Sequence, residues 1–251
     1  MSTATTTGTI PATSDTARRT DPMRKVALAG GIAYLVTFAA SIPQLILFKD
    51  LVDDPTGYVS NPGSNTAIQL GSVLEVVTAA SSVATAVFLY PAVRRVSRTA
   101  AVGYVASRVV EAAMIMVGVV SVLAVITLQH KYAGATGSEA TSVGVTGEGL
   151  VATRQATFLL GPGILPAINA MFLGYAVWRG RLVPRALPAI GFVGAPLLLI
   201  STTATIFGGW DQVSGPALLL ALPIATWEFS VGVYLTVKGF KTDPRASRPT
   251  V

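Results

Sequence analysis

Residues 99–128 read TAAVGYVASRVVEAAMIMVGVVSVLAVITL. At about 1.5 Å per residue this apolar stretch is long enough, as a helix, to cross the ~30 Å hydrocarbon core of a bilayer. Near its middle it carries Arg108 and Glu111, three residues apart and so on one face of a helix. A charge at mid-membrane costs roughly 2.5–3.5 kcal/mol on insertion scales and is rarely tolerated without a partner. The pair marks where a functional site has to lie.

Composition extends this reading to the whole chain. The 251 residues are 51% hydrophobic and only 12% charged, with mean hydropathy +0.61. Soluble domains carry about 25% charged residues, so the chain belongs to the membrane class. It contains no cysteine, which excludes disulfides, thiol redox chemistry and cysteine metal sites. Its one histidine, His130, falls in a polar stretch read as an outer loop. The net charge of +6 does not signify nucleic acid, because the basic clusters abut spanning segments and report orientation instead.

The polar, Thr- and Ala-rich residues 1–23 are expected to form a disordered cytoplasmic tail, with no cleavable signal block, so that the first span also serves as the insertion signal. Residues 24–241 are expected to form the membrane domain and 242–251 a basic cytoplasmic tail. Six spans are read at 26–48, 66–93, 99–128, 148–178, 186–207 and 217–237. Residues 49–65 and 129–147 read as polar connections, residues 208–216 as a short turn, and Arg94, Arg95 and Arg98, then 179–185, as short basic links. The segments are apolar all round, which argues for spanning rather than for amphipathic surface helices.

Most of the 18 basic residues fall on one side: Arg18, Arg19, Arg24 and Lys25, the two basic links, and Lys238, Lys241, Arg245 and Arg248. The other side holds Lys49 and Lys131 with Asp50, Asp53, Asp54, Glu139 and Asp211. The positive-inside rule then puts both termini in the cytoplasm.

Besides Arg108 and Glu111, the spans contain Glu75, Arg154 and Glu228. Depths counted along the helices pair Arg108 with Glu111 or Glu228, and Arg154 with Glu75. Three carboxylates stand against two guanidiniums. One glutamate therefore lacks a cation of its own, and since burial disfavours its charged form it is a candidate proton-binding group. Glu75, Thr78, Ser82 and Thr85 form one helical stripe, and Tyr104, Arg108, Glu111 and Gly118 another. Such a network either fixes helix register or lines a path for a solute, ion or proton.

Pro43, Pro91, Pro223 and the pair Pro188 and Pro196 are expected to interrupt four of the spans. In the fourth, Gly161-Pro162-Gly163-Ile164-Leu165-Pro166 is a candidate broken-helix site of the kind transporters use to expose backbone; the residues favour a simple kink over a full opening. The third span alone has no proline. The metalloprotease, nucleophile-elbow, P-loop and dinucleotide motifs are absent, and no aspartate lies within a span. No catalytic residue, metal site or cofactor is assigned, since His130 alone builds neither a zinc nor a haem site. The chain shows no internal repeat.

Gln69-Leu70-Gly71 before Glu75, the run Gly103-Tyr104-Val105-Ala106-Ser107-Arg108-Val109-Val110-Glu111, Trp227-Glu228, the break in the fourth span, Arg181-Leu182-Val183-Pro184-Arg185 and Lys238-Gly239-Phe240 together resemble a bacterial membrane family known as domain of unknown function four-three-eight-six. The Tyr-x3-Arg-x2-Glu element is the most specific part. The resemblance covers about residues 24–241 and implies six spanning helices; it implies no activity.

The sequence thus predicts an all-α polytopic membrane protein, a six-helix bundle in the bacterial cytoplasmic membrane. Its charged core would move or sense a small solute, ion or proton. The alternative is a structural or regulatory subunit whose charged core is architectural, and a third reading is a lipid-acting membrane enzyme. Its expected partners are the lipid bilayer and a small solute or ion; no protein partner or oligomer is specified.

Overall fold

The protein is described here by a computed structural model, which covers residues 22–60 and 64–241. The expected tails fall almost entirely outside these residues, as do Pro62 and Gly63 of the first connection. Nine helices and no strand occur among the described residues: α1 (Pro22–Leu47), α2 (Lys49–Asp53), α3 (Pro55–Ser60), α4 (Thr66–Val96), α5 (Arg98–Lys131), α6 (Gly137–Leu160), α7 (Leu165–Arg179), α8 (Ala186–Ile206) and α9 (Gly215–Val237). Six units are long and apolar enough to cross a membrane: α1, α4, α5, the α6–α7 pair, α8 and α9.

These six close into a ring in chain order, with α9 returning to α1. Short connections enforce the antiparallel neighbours. Ser97 alone separates α4 from α5, and its extended backbone lets the hydroxyl accept from the Ala100 amide at 3.2 Å as an N-cap. Ser214 caps α9 in the same way. The ring is locked where α1 meets α9. Arg24 donates to the carbonyls of Leu235 (3.1 Å), Thr236 (2.7 Å) and Val237 (3.3 Å) in the last turn of α9. Both described chain ends thereby lie at one end of the bundle, with the basic links; this is the basic end.

Small residues set the interhelical distances. A Cβ on Gly31 would stand 2.8 Å from the Gly232 carbonyl oxygen and 2.7 Å from the Thr236 nitrogen, and one on Gly194 would stand 2.7 Å from the Ile224 nitrogen. Backbones this close gain van der Waals contact, which drives helix association in lipid where the hydrophobic effect does not. The buried apolar core is correspondingly split. One cluster, centred on Leu89, Tyr104, Leu173 and Trp227, fills the basic half; another, around Phe48, Leu51, Ile68 and Val122, fills the opposite end. The outer surface is apolar as well: Val109 and Val110 are 47% and 50% exposed, beside Arg108 at 1%.

Three expectations change. The connection at 129–147 is largely helical, since α5 runs to Lys131 and α6 starts at Gly137. Its polar residues are accommodated in the helix, where Thr141, Ser142 and Thr146 each satisfy their hydroxyl on the carbonyl four residues back. His130 consequently sits in the last turn of α5, 3.3 Å from Asn65 Nδ2, and not in a loop. The connection at 49–65 contains α2 and α3, which cap the opposite end: Thr56 bonds Glu148, and Gln129 Nε2 donates to the Tyr58 carbonyl. Pro43, Pro91, Pro196 and Pro223 lie within continuous helices and Pro188 in the first turn of α8, because one missing N–H leaves the remaining ladder intact.

Gly31→Val should lower thermal stability in detergent by about 1–3 kcal/mol through overpacking of the α1–α9 seam. Gly149→Ala, where an added Cβ meets nothing within 4 Å, should leave the melting temperature unchanged or slightly raised.

Candidate functional site

The spacing of Arg108 and Glu111 puts both side chains on the inner face of α5, and neighbouring helices complete their surroundings. Arg108 Nη1 donates to Glu111 Oε2 at 3.0 Å, and Nη2 to Glu228 Oε1 of α9 at 2.6 Å. One guanidinium therefore holds both carboxylates that the sequence offers as alternatives. The Tyr34 ring of α1 lies 5.0 Å from the guanidinium carbon and the Tyr104 ring 5.8 Å. Aromatic faces stabilise a desolvated cation by cation–π attraction.

The network spreads from there. Asn169 of α7 donates to Glu111 Oε2 at 2.6 Å and accepts from Ser107. The Tyr34 and Tyr104 hydroxyls pair at 2.8 Å, and Tyr104 also donates to Thr85 of α4 at 3.2 Å. Five of the six spanning units thus meet in one polar layer, at about 15–18 Å from the basic end by residue count. Within it the Arg108 and Glu111 side chains are buried, whereas the Glu228 side chain retains 19% exposure.

A second centre lies nearer the opposite end. Arg154 Nη2 of α6 donates to Glu75 Oε1 of α4 at 2.8 Å, and both residues are buried. Phe48 and Phe158 flank the guanidinium, their centroids at 4.4 and 5.4 Å. Counted along α4 from Thr85 to Glu75, the two centres are about 15 Å apart. The sequence pairings are therefore both present. Glu75, Thr78, Ser82 and Thr85, like Tyr104, Arg108 and Glu111, are buried as one inward stripe on each helix.

The fourth span is interrupted by a four-residue turn: α6 ends at Leu160 and α7 starts at Leu165. Pro162 lacks an N–H, and Pro166 sits in the first turn of α7 where none is needed. Gly161 and Gly163 admit the tight path, since a Cβ on Gly163 would stand 2.1 Å from the Leu159 carbonyl oxygen. The freed polar groups are met by the protein: Thr202 of α8 donates to the Gly163 carbonyl at 2.6 Å, and the Gly163 amide donates to the Phe158 carbonyl at 3.1 Å. Along the chain the break falls between Arg154 and Asn169, and so between the two centres.

Tyr34, Ser107 and Asn169 are site residues that the sequence reading did not single out. Asn169 carries the clearest signal, an amide within the apolar run Leu165-Pro-Ala-Ile-Asn-Ala-Met-Phe172, where it needs an interhelical partner. No group of three or more histidine, aspartate or glutamate side chains able to hold a metal occurs among the described residues.

A ring of apolar helices around two buried Arg/Glu centres defines an integral membrane protein with a polar core. Residues 29–239 match the family described as a domain of unknown function (DUF4386), and the chain belongs to that family. No curated protein and no solved structure matches it.

Charge arithmetic orders the variants at the first centre. Arg108→Gln strands two carboxylates and should cost about 3–5 kcal/mol in detergent melts. Glu111→Gln should cost less, and Glu228→Gln least, because Arg108 keeps a buried counter-charge and Glu228 is partly exposed. The Arg108→Gln/Glu111→Gln double variant should recover part of the single-variant loss. At the break, Gly163→Ala should destabilise by about 1–3 kcal/mol, read in the same melts.

Proposed function

We propose that this chain moves or senses a small solute, ion or proton across the bacterial cytoplasmic membrane, through the charged core of its bundle. The observation that carries the reading is the imbalance at the Arg108 centre. One guanidinium serves two carboxylates, and the surplus one, Glu228, is the member with accessible side-chain surface. A buried centre with one negative charge in excess favours binding a proton or another cation over remaining charged. Glu228 is thus the member of the centre open to an exchanging solute or cation, with Arg108 and Glu111 as its fixed counterpart. The helix break between the two centres supports movement, since α6 and α7 are joined by only residues 161–164. In this reading the basic end faces the cytoplasm, because Arg24, Lys25, Arg94, Arg95, Arg179 and Arg185 gather there.

The second reading, a structural or regulatory subunit, is favoured by one observation. The Arg108 layer ties α1, α4, α5, α7 and α9 together, as a purely architectural network would.

The two readings separate in proteoliposomes loaded with a pH-sensitive dye. Under an imposed pH gradient and potential, the parent protein should conduct protons or a co-supplied solute. Glu228→Gln should abolish that flux while keeping the parent melting temperature. Absence of flux in the parent, together with a stoichiometric co-purifying protein, would establish the architectural reading instead.

A further inference from the structure

Toward the end opposite the basic one, a cavity of about 540 Å³ runs down to Arg154. Its size lies within the ~300–1,000 Å³ typical of small-molecule sites. Leu45 and Phe48, then α2, form one wall; Gln155 and Phe158 of α6 form another; Asp211 and Val213 of the α8–α9 connection form the rim. Arg154 is 5% exposed and held between two phenyl rings, yet only Nη2 meets Glu75. Arg154 Nε and Glu75 Oε2 are both buried and have no hydrogen-bond partner. A guanidinium is a fork suited to two parallel bonds to one carboxylate, and Arg154 makes only one of them to Glu75. Arg154 also lines a cavity with room for a second carboxylate.

Two carboxylates on one buried guanidinium leave an uncompensated negative charge, which the low-dielectric surroundings oppose. A ligand carboxylate is therefore accommodated when Glu75 takes up a proton. The other charged groups facing the cavity decide the rest of the ligand. Lys49 is neutralised by Asp53 of its own helix, whereas Asp211 makes no ion pair among the described residues and leaves the rim acidic. Between rim and floor the walls carry Leu45, Val52 and Phe158. From this juxtaposition we propose that the cavity binds a small zwitterion, its carboxylate on Arg154, its apolar spacer along the walls and its ammonium at Asp211, with one proton passing to Glu75. No covalent bond changes; the proton comes from solvent and leaves with the ligand. The inference deepens the solute-moving reading above and rests on it for its purpose, and the test for binding is separate from the test for flux.

The test is titration calorimetry on the full chain in detergent, in buffers of differing ionisation enthalpy. The probes are 6-aminohexanoate, hexanoate and hexylamine, which share one skeleton. The expected result is that 6-aminohexanoate binds tightest, with uptake of about one proton per ligand. Glu75→Gln should keep the binding and lose the proton uptake. Asp211→Asn alters an exposed residue in a connection and so should not disturb folding; it should bring 6-aminohexanoate and hexanoate to within about threefold of each other. Hexylamine binding tightest, hexanoate matching 6-aminohexanoate in the parent, binding without proton uptake, or no binding by any probe would each overturn the proposal. Flux that persists when no probe binds overturns this site and leaves the solute-moving reading standing.

Discussion

A guanidinium buried among apolar helices is the constraint from which the rest of the bundle follows. Arginine does not give up its charge, and leaving that charge uncompensated in a low-dielectric interior costs several kcal/mol. Arg108 is compensated by Glu111 one turn along its own helix, by Glu228 from the far side of the ring, and by two tyrosine faces. These partners come from α1, α5 and α9, and Asn169 brings in α7 through Glu111. Lipid offers little hydrophobic reward for helix association, so polar contacts of this kind, with close backbone seams such as Gly31 on Gly232, do much to select the native arrangement.

The second constraint is that the buried charges fall into two separate centres. The Arg108 centre and the Arg154 centre are separated by the small apolar cluster of Ala79, Ala112 and Ile115 and by the turn of the fourth span. Past that cluster the buried hydroxyls of Thr78 and Ser82 continue the polar stripe of α4 from one centre to the other. The break is held by its own bonds, notably Thr202 to the Gly163 carbonyl, so its shape is fixed by α8 as much as by its glycines and prolines.

How far the sequence could be read depended on the kind of signal. Apolar runs of spanning length stand out against 12% charge, and all six spans were legible. The five intramembrane charges were legible for the same reason, since each is costly in that setting, and helix depth alone matched Arg154 to Glu75 and offered both partners of Arg108. Residues 137–147 were misread because serine and threonine look like loop formers until their hydroxyls are seen bonded back to the helix. Tyr34 and Asn169 were not singled out because neutral polar side chains are cheap enough in lipid to occur without a partner, so their presence carries less information than a charge does.

By itself the sequence determined the class of protein, the number of spans, the end at which basic residues gather and the residues that must find partners inside. Those properties follow from transfer free energies of single residues and from a fixed rise per residue, which need no knowledge of neighbours. Only the tertiary structure decided that Glu111 and Glu228 share one guanidinium and that Thr202 of α8 holds the turn of the fourth span through the Gly163 carbonyl. It alone put Arg154, with a donor unused, at the floor of a cavity. Each of these depends on which helix faces come together around the ring, a choice made by shape and hydrogen-bond geometry between segments far apart in the chain, and one that local sequence does not encode.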